Sequence, residues 1–274
     1  MVWSIFPVSG ALPKEKAVMA SRLHPDPTFI NEFYTNFWSS REWADREPNR
    51  DESLRAAAIT RLIETSVLPA DGADRKLRIL DLGCGRGWLT SLLCRFGYVV
   101  GIDPVAAATQ RAKVLFPSLD IRCGESSDLI SMGYEGQFDL IISSEVIEHV
   151  VDDDKRGFVD NIRRLLKPGG FAIVTTPRGE LWRLWSRRLE SPQPVEEWIS
   201  EAELHRLCEA CDLQVITKGR VFLPHCPFDW LSRAASHSRI FVSKALRDKL
   251  RYYRAIYQVI LMRRAPDEAE LPGN

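Results

Sequence analysis

The sequence has no excess of either charge: Lys+Arg and Asp+Glu both number 37 in 274 residues. A dedicated nucleic-acid binder usually carries a basic excess, so no nucleic-acid partner is expected. No run of roughly 18 consecutive apolar residues occurs, which excludes an evident membrane-spanning helix. Cysteine is sparse, with six residues at 84, 94, 123, 208, 211 and 226. Scattered over so long a chain, they argue for a reduced cytoplasmic compartment rather than a disulfide framework. Cys208 and Cys211 have C-x-x-C spacing but no second pair, so burial is expected there rather than zinc. Internal repeats and heptads are absent. The opening MVWSIFPVSGALPKEKAV has no basic start and is cut by Pro7 and Pro13, so no secretory leader is expected. What remains is an ordinary globular composition, 45% apolar and 27% charged, able to bury a sizeable core.

Residues 1–20 read as a flexible extension and 265–274 as a disordered tail. Residues 21–70 read as N-terminal helices on the substrate side. Phe29, Phe33, Tyr34, Phe37 and Trp38 recur at helical spacing within 28–45. A second helix spans 51–67, capped by Asp51 or Ser53. The pattern then changes. Short apolar runs at 77–83, 98–104, 118–124, 138–144 and 171–177 read as buried strands, each but the last followed by a helical segment. The helix after the fourth strand reads as long, ending before Pro168-Gly169-Gly170. Five strands alternating with helices call for an α/β fold with a parallel sheet and helices on both faces. Residues 200–211 form a capped helix, and 213–223 and 256–264 two further strands. The main domain is therefore 71–223 plus 254–264. It carries a lid insertion at 178–199 and a basic amphipathic insertion at 224–253.

The segment Leu80-Asp81-Leu82-Gly83-Cys84-Gly85-Arg86-Gly87 joins the first strand to a helix. Glycines there permit a sharp turn and close approach of a ligand, and amides at a helix start favour an anionic group. A redox dinucleotide fold would place its third glycine one position later. Asp103 ends the second strand, where a carboxylate can accept both hydrogen bonds of a ribose diol. Pro104 follows it.

Together these residues resemble the class I S-adenosylmethionine (SAM) methyltransferases. LDLGCGRG, VVGIDP, CGESSDL, FDLIISSEVIEHV and LLKPGG are similar to that family's motifs, in order. The resemblance implies a Rossmann-like seven-strand sheet of order 3-2-1-4-5-7-6, with strand seven antiparallel, under a helical and aromatic lid. It implies SAM as cofactor, held by the amides around Gly83, Cys84 and Gly85, with Asp81 ordering the loop and facing the methionine amine. Asp103, beside Pro104, would bind the ribose hydroxyls. Glu125 and Ser126 would meet the adenine edge, and Ser144 would offer its carbonyl near the methionine end. Arg55 matches the arginine with which ubiquinone-type O-methyltransferases reach the SAM carboxylate, though a solvated helix charge would look the same.

EVIEHV at 145–150 resembles the pattern of the ubiquinone-type O-methyltransferases. If a helix begins there, Glu145, Glu148 and His149 share one face and make a hard site for Mg²⁺. Otherwise Glu145 and His149 orient the pocket and Glu148 is a helix charge. His149 is the candidate general base, with Glu145 beside it, for deprotonating a hydroxyl acceptor. The acceptor is expected to be a small molecule. Trp182, Trp185 and Trp198 join the N-terminal aromatics as pocket walls or lid core. Arg178, Arg183, Arg187 and Arg188 would suit an anionic acceptor such as a nucleotide sugar, or line a solvated helix. The 224–253 insertion fits either peripheral contact with an anionic membrane or packing on its own domain. The rival functions are a nicotinamide oxidoreductase and a catalytically silent SAM-binding module.

Overall fold

The computed structural model describes residues 26–71, 75–182, 193–221 and 255–266. The readings of 1–20, 224–253 and 267–274 lie outside them, as do Arg183, Trp185, Arg187 and Arg188. The alternating segments build one seven-stranded sheet. β1 (Leu77–Leu82), β2 (Gly97–Asp103), β3 (Asp120–Cys123), β4 (Phe138–Ser144), β5 (Leu166–Pro177), β6 (Leu213–Val221) and β7 (Tyr257–Arg264) stand in the order β3-β2-β1-β4-β5-β7-β6. β7 runs antiparallel to both neighbours and the other pairs are parallel. This is the expected sheet.

The helices are α1 (Pro27–Ser39), α2 (Arg50–Leu62), α3 (Trp88–Leu93), α4 (Ala106–Leu115), α5 (Ser126–Ser131), α6 (Lys155–Leu165) and α7 (Glu201–Glu209). Strand residues alternate between two cores. Ile79, Leu140, Ile142, Ile173 and Leu261 meet Ile59, Ile63 and Val67, spaced by four along the α2 region, with Leu89 and Leu93 of α3. Leu80, Leu82, Ile102, Ile141 and Val174 meet Val159, Ile162 and Leu165 of α6 and Leu204 of α7. Each buried side chain of this size contributes roughly 1.5–3 kcal/mol, so the sheet holds its helices by packing. Among the described residues no helix is long and apolar enough to cross a membrane.

Several boundaries differ from the sequence reading. The first helix stops at Ser39, and a 3-10 turn, Arg41–Trp43, follows an extended Ser40. There Arg111 takes the Ser39 and Ser40 carbonyls, and the Trp43 ring closes on Phe37 and Trp38. The cap of α2 is Asn49 rather than Asp51 or Ser53, because Asn49 and Glu52 form a reciprocal capping box. The helix then continues through a π-helical stretch, Ile63–Val67. After β4 the chain does not enter a long helix. Glu145 takes φ +60°, and two 3-10 turns, Ile147–His149 and Asp152–Asp154, precede α6. Strand five begins at Leu166 and absorbs Pro168-Gly169-Gly170 as an irregularity opposite Phe138 and Leu140.

Candidate cofactor and acceptor site

The glycine loop lies at the C-terminal edge of the sheet, between β1 and α3. Gly83 and Gly85 have φ +79° and +51°, where side chains are strained. A Cβ on Gly83 would sit 2.3 Å from Val146 Cγ2, and one on Gly85 would sit 2.7 Å from Trp38 Cη2. The loop amides are already engaged. Gly83 and Cys84 N–H both donate to the Ile102 carbonyl, at 2.8 and 3.0 Å, and Gly85 N–H donates to Asp103 Oδ2 at 3.0 Å. These amides therefore tie the loop to β2 instead of presenting donors to a ligand. The bare α-carbons of Gly83 and Gly85 let Val146 and Trp38 pack directly against the turn.

Asp103 is buried at the end of β2. Its Oδ1 accepts from Val105 N–H at 2.9 Å, the partner of the Gly85 contact on Oδ2. Burial raises its carboxyl above the ordinary range, and the two amides oppose that rise. Each oxygen keeps a lone pair for a further donor. Gly124 N–H donates to the Asp103 carbonyl, which brings the end of β3 alongside. Next in the chain, Glu125 is exposed and caps α5, while Ser126 is buried and accepts from Asn161 Nδ2 at 3.1 Å. Pro104 is exposed. Asp81, by contrast, lies fully inside the fold. It accepts from Thr90 Oγ1 at 2.6 Å, and burial pushes its carboxyl up to about 7.

The EVIEHV residues diverge. Glu145 Oε1 accepts from Thr175 Oγ1 at 3.0 Å and lies 3.9 Å from Arg55 Nε. Arg55 in turn stacks on the Tyr257 ring at 4.8 Å. Ser144 Oγ shares a 2.8 Å contact with the same Thr175 hydroxyl. Glu148 Oε2 accepts from Thr176 Oγ1 at 2.9 Å. His149 directs Nδ1 to the Val195 carbonyl at 3.0 Å. Burial pushes Glu145 up to about 8 and Glu148 up to about 7, with Arg55 opposing both shifts, and it lowers the His149 imidazole. No group of three or more His, Cys, Asp or Glu is gathered for a metal ion among the described residues. The shared helix face for Mg²⁺ does not form, because no helix begins at Glu145.

A methyltransferase-domain family profile matches residues 48–218, more than half of the chain. The chain belongs to the methyltransferase-domain family. A curated relative of this methyltransferase domain is the ubiquinone biosynthesis O-methyltransferase of Nitrobacter winogradskyi. It is 35% identical over 128 residues, covering 45% of this chain and 47% of the relative. The chain thus spans about half the length of the curated relatives it matches. Among solved structures, a SAM-dependent methyltransferase from Archaeoglobus fulgidus superposes with TM-score 0.58 at 15% identity, covering 87% of this chain and 100% of that one. Magnesium protoporphyrin IX methyltransferase from Synechocystis PCC 6803 gives TM-score 0.58 at 14% identity, covering 88% and 100%. Both likenesses are of fold.

In the methyltransferase domain, α1 lies across this edge of the sheet. Trp38 rests on Gly85, and the Tyr34 ring meets His149 edge-on at 6.0 Å. Tyr34 Oη also reaches Gln193 Oε1 at 3.3 Å. Phe33 and Phe37 stack with their neighbours within α1 and the turn after it, as does Trp43, which sequence reasoning passed over. Trp182 and Trp198 pair at 5.3 Å. Arg178 is not presented to an acceptor. It is fully buried, donating to the Ala255 carbonyl and pairing with Glu201 at 2.8 Å. Sequence reasoning also missed Arg86. Its guanidinium binds Glu52 through two bonds of 2.6 and 2.7 Å and reaches the carbonyls of Asp45 and Glu47. Arg86 thereby fastens the N-terminal segment to the glycine loop. Thr175 and Thr176, the hydroxyls under both glutamates, carried no motif signal.

Proposed function

We propose that this domain transfers a methyl group from SAM to a hydroxyl of a small-molecule acceptor. One arrangement carries the reading: Asp103 closes β2 bonded to the glycine turn through Gly85 N–H at 3.0 Å, and Val146, three residues before His149, packs against Gly83 of the same turn. The residues fit the cofactor. Asp103 keeps acceptor capacity for two ribose hydroxyls beside the Gly83-Cys84-Gly85 turn. Glu125 and Ser126 follow Gly124, whose N–H meets the Asp103 carbonyl, and would face the adenine edge. Arg55 suits the aminoacyl carboxylate, with the Ser144 carbonyl nearby. Asp81 acts from behind the loop, through the Thr90 bond.

Bound SAM supplies an electrophilic sulfonium methyl group, and the chain must hold the acceptor in line with it. Nδ1 of His149 donates to a carbonyl, so in the neutral ring Nε2 is the acceptor nitrogen. Nε2 takes the proton of the acceptor hydroxyl, and the lowered imidazole pKa keeps the ring neutral for that task. Tyr34, whose ring meets His149 edge-on, walls the acceptor side. The O-methyltransferase names of the curated relatives support oxygen as the target. Glu145, Glu148 and His149 are held on separate partners and do not fit a divalent cation, so no step is assigned to a metal.

Calorimetry with SAM, its demethylated product and NADH tests the cofactor. Heat with the first two and none with NADH is expected; no heat with either sulfur compound overturns the proposal. Asp103→Ala should weaken SAM binding about 10-fold or more, the loss of a good hydrogen-bonding carboxylate. His149→Ala should slow methylation by roughly 100-fold while SAM still binds.

A further inference from the structure

We propose that Lys155 is a positioning residue, locking the strap 193–199 so that the Val195 carbonyl fixes the tautomer and direction of the His149 ring. The inference rests on His149 being the base.

Lys155 is the first residue of α6 and is 4% exposed. A buried ammonium is unfavourable without partners, and a cation at a helix N-terminus opposes the helix dipole. Its position is therefore explained by what it binds. Nζ donates to the Glu197 carbonyl at 2.7 Å and pairs with the Asp152 carboxylate; Glu197 Oε2 lies 3.9 Å away. Glu197 is tied to the same turn twice more. Its N–H donates to the Glu148 carbonyl at 2.8 Å, and its Oε2 accepts from Asp152 N–H at 2.6 Å.

Val195 is two residues earlier in the strap, so in an extended chain it faces the same way. Its carbonyl is the acceptor of the His149 bond. The other end of the strap is anchored too: the Ile199 carbonyl accepts from Gly179 N–H at 3.0 Å and from Gln258 Nε2 at 2.8 Å. A carbonyl can only accept, so it holds His149 with its hydrogen on Nδ1 and its lone pair on Nε2. When Lys155 is lost, the Glu197 carbonyl loses its clasp and the carbonyl two residues away is no longer fixed. The ring then admits the other tautomer, in which Nε2 carries a hydrogen and cannot take a proton.

The test uses Lys155→Met, Lys155→Arg and, should the apolar substitution impair folding, Lys155→Gln, whose shorter neutral side chain gives up the bond to the Glu197 carbonyl. The deciding readout is the ¹⁵N spectrum of the His149 ring, assigned with His149→Gln. The unaltered protein should show hydrogen on Nδ1 only. Lys155→Met and Lys155→Gln should show a tautomer mixture, and Lys155→Arg should restore the single form. SAM affinity by calorimetry should stay unchanged in all three. Turnover with a simple phenol should fall by roughly 10- to 100-fold in Lys155→Met and recover in Lys155→Arg. A pure Nδ1–H signature in both disrupted variants overturns the inference. Full activity of His149→Gln would overturn the base reading instead, and the tautomer spectra would still decide the positioning role.

Discussion

Removing Arg86 should destabilise the protein far more than removing a surface arginine. Arg86 and Glu52 are 3% and 5% exposed, and the pair is joined by two hydrogen bonds. Arg86→Met leaves the Glu52 carboxylate buried without its counter-charge, which costs about 3–5 kcal/mol. Two further contacts go with it, to the carbonyls of Asp45 and Glu47, and the cation over the Trp43 ring at 5.2 Å is lost. At about 2–4 °C per kcal/mol for a domain of this size, the melting temperature should drop by roughly 6–20 °C. Glu52→Ala should cost about 1 kcal/mol more than the pair alone, because Glu52 also closes the Asn49 capping box. The double variant Arg86→Met/Glu52→Ala should lose much less than the sum of the single losses, since no buried charge is stranded. Urea denaturation followed by circular dichroism and tryptophan fluorescence measures all of these. A loss under about 1 kcal/mol for Arg86→Met, or strict additivity in the cycle, would refute the account.

Gly85→Ala should cost about 1–2 kcal/mol in stability from its left-handed backbone, and should weaken SAM binding as Trp38 is displaced; an unchanged melting temperature would contradict the 2.7 Å clearance. Asp81 gives a pH dependence. Its folded carboxyl is raised from 3.8 to about 7, so its contribution is fully present below the ordinary value and is lost as pH rises through about 7. Urea midpoints of the ligand-free protein should fall over that window, and Asp81→Asn should flatten the fall; identical pH profiles would count against the burial argument. Methyl transfer should be indifferent to EDTA and to added Mg²⁺, and activity removed by EDTA and restored by Mg²⁺ would reinstate the metal.

The strand order was legible only through the resemblance of the ordered motifs to a known family; the sequence by itself determined the α/β layering and the placing of the glycine loop and Asp103 at strand ends. Those features are local. Apolar runs, the glycines of one turn and a carboxylate closing one strand are set by short-range sterics and periodicity. Tertiary structure alone decided which atoms are left to meet a ligand. The loop amides carried a donor signal, but Ile102 and Asp103 from the next strand consume them. The i, i+3, i+4 spacing of Glu145, Glu148 and His149 presupposes a helix from residue 145. Instead, Glu145 N–H stays bonded to the Thr175 carbonyl, which holds the chain on β5 and turns it through a left-handed residue. The partners that orient the site are far away in the chain: Val195 for His149, Glu52 for Arg86, Gln193 for Tyr34. Such contacts follow no period and leave no mark on their neighbours in sequence, so only the folded chain brings them together.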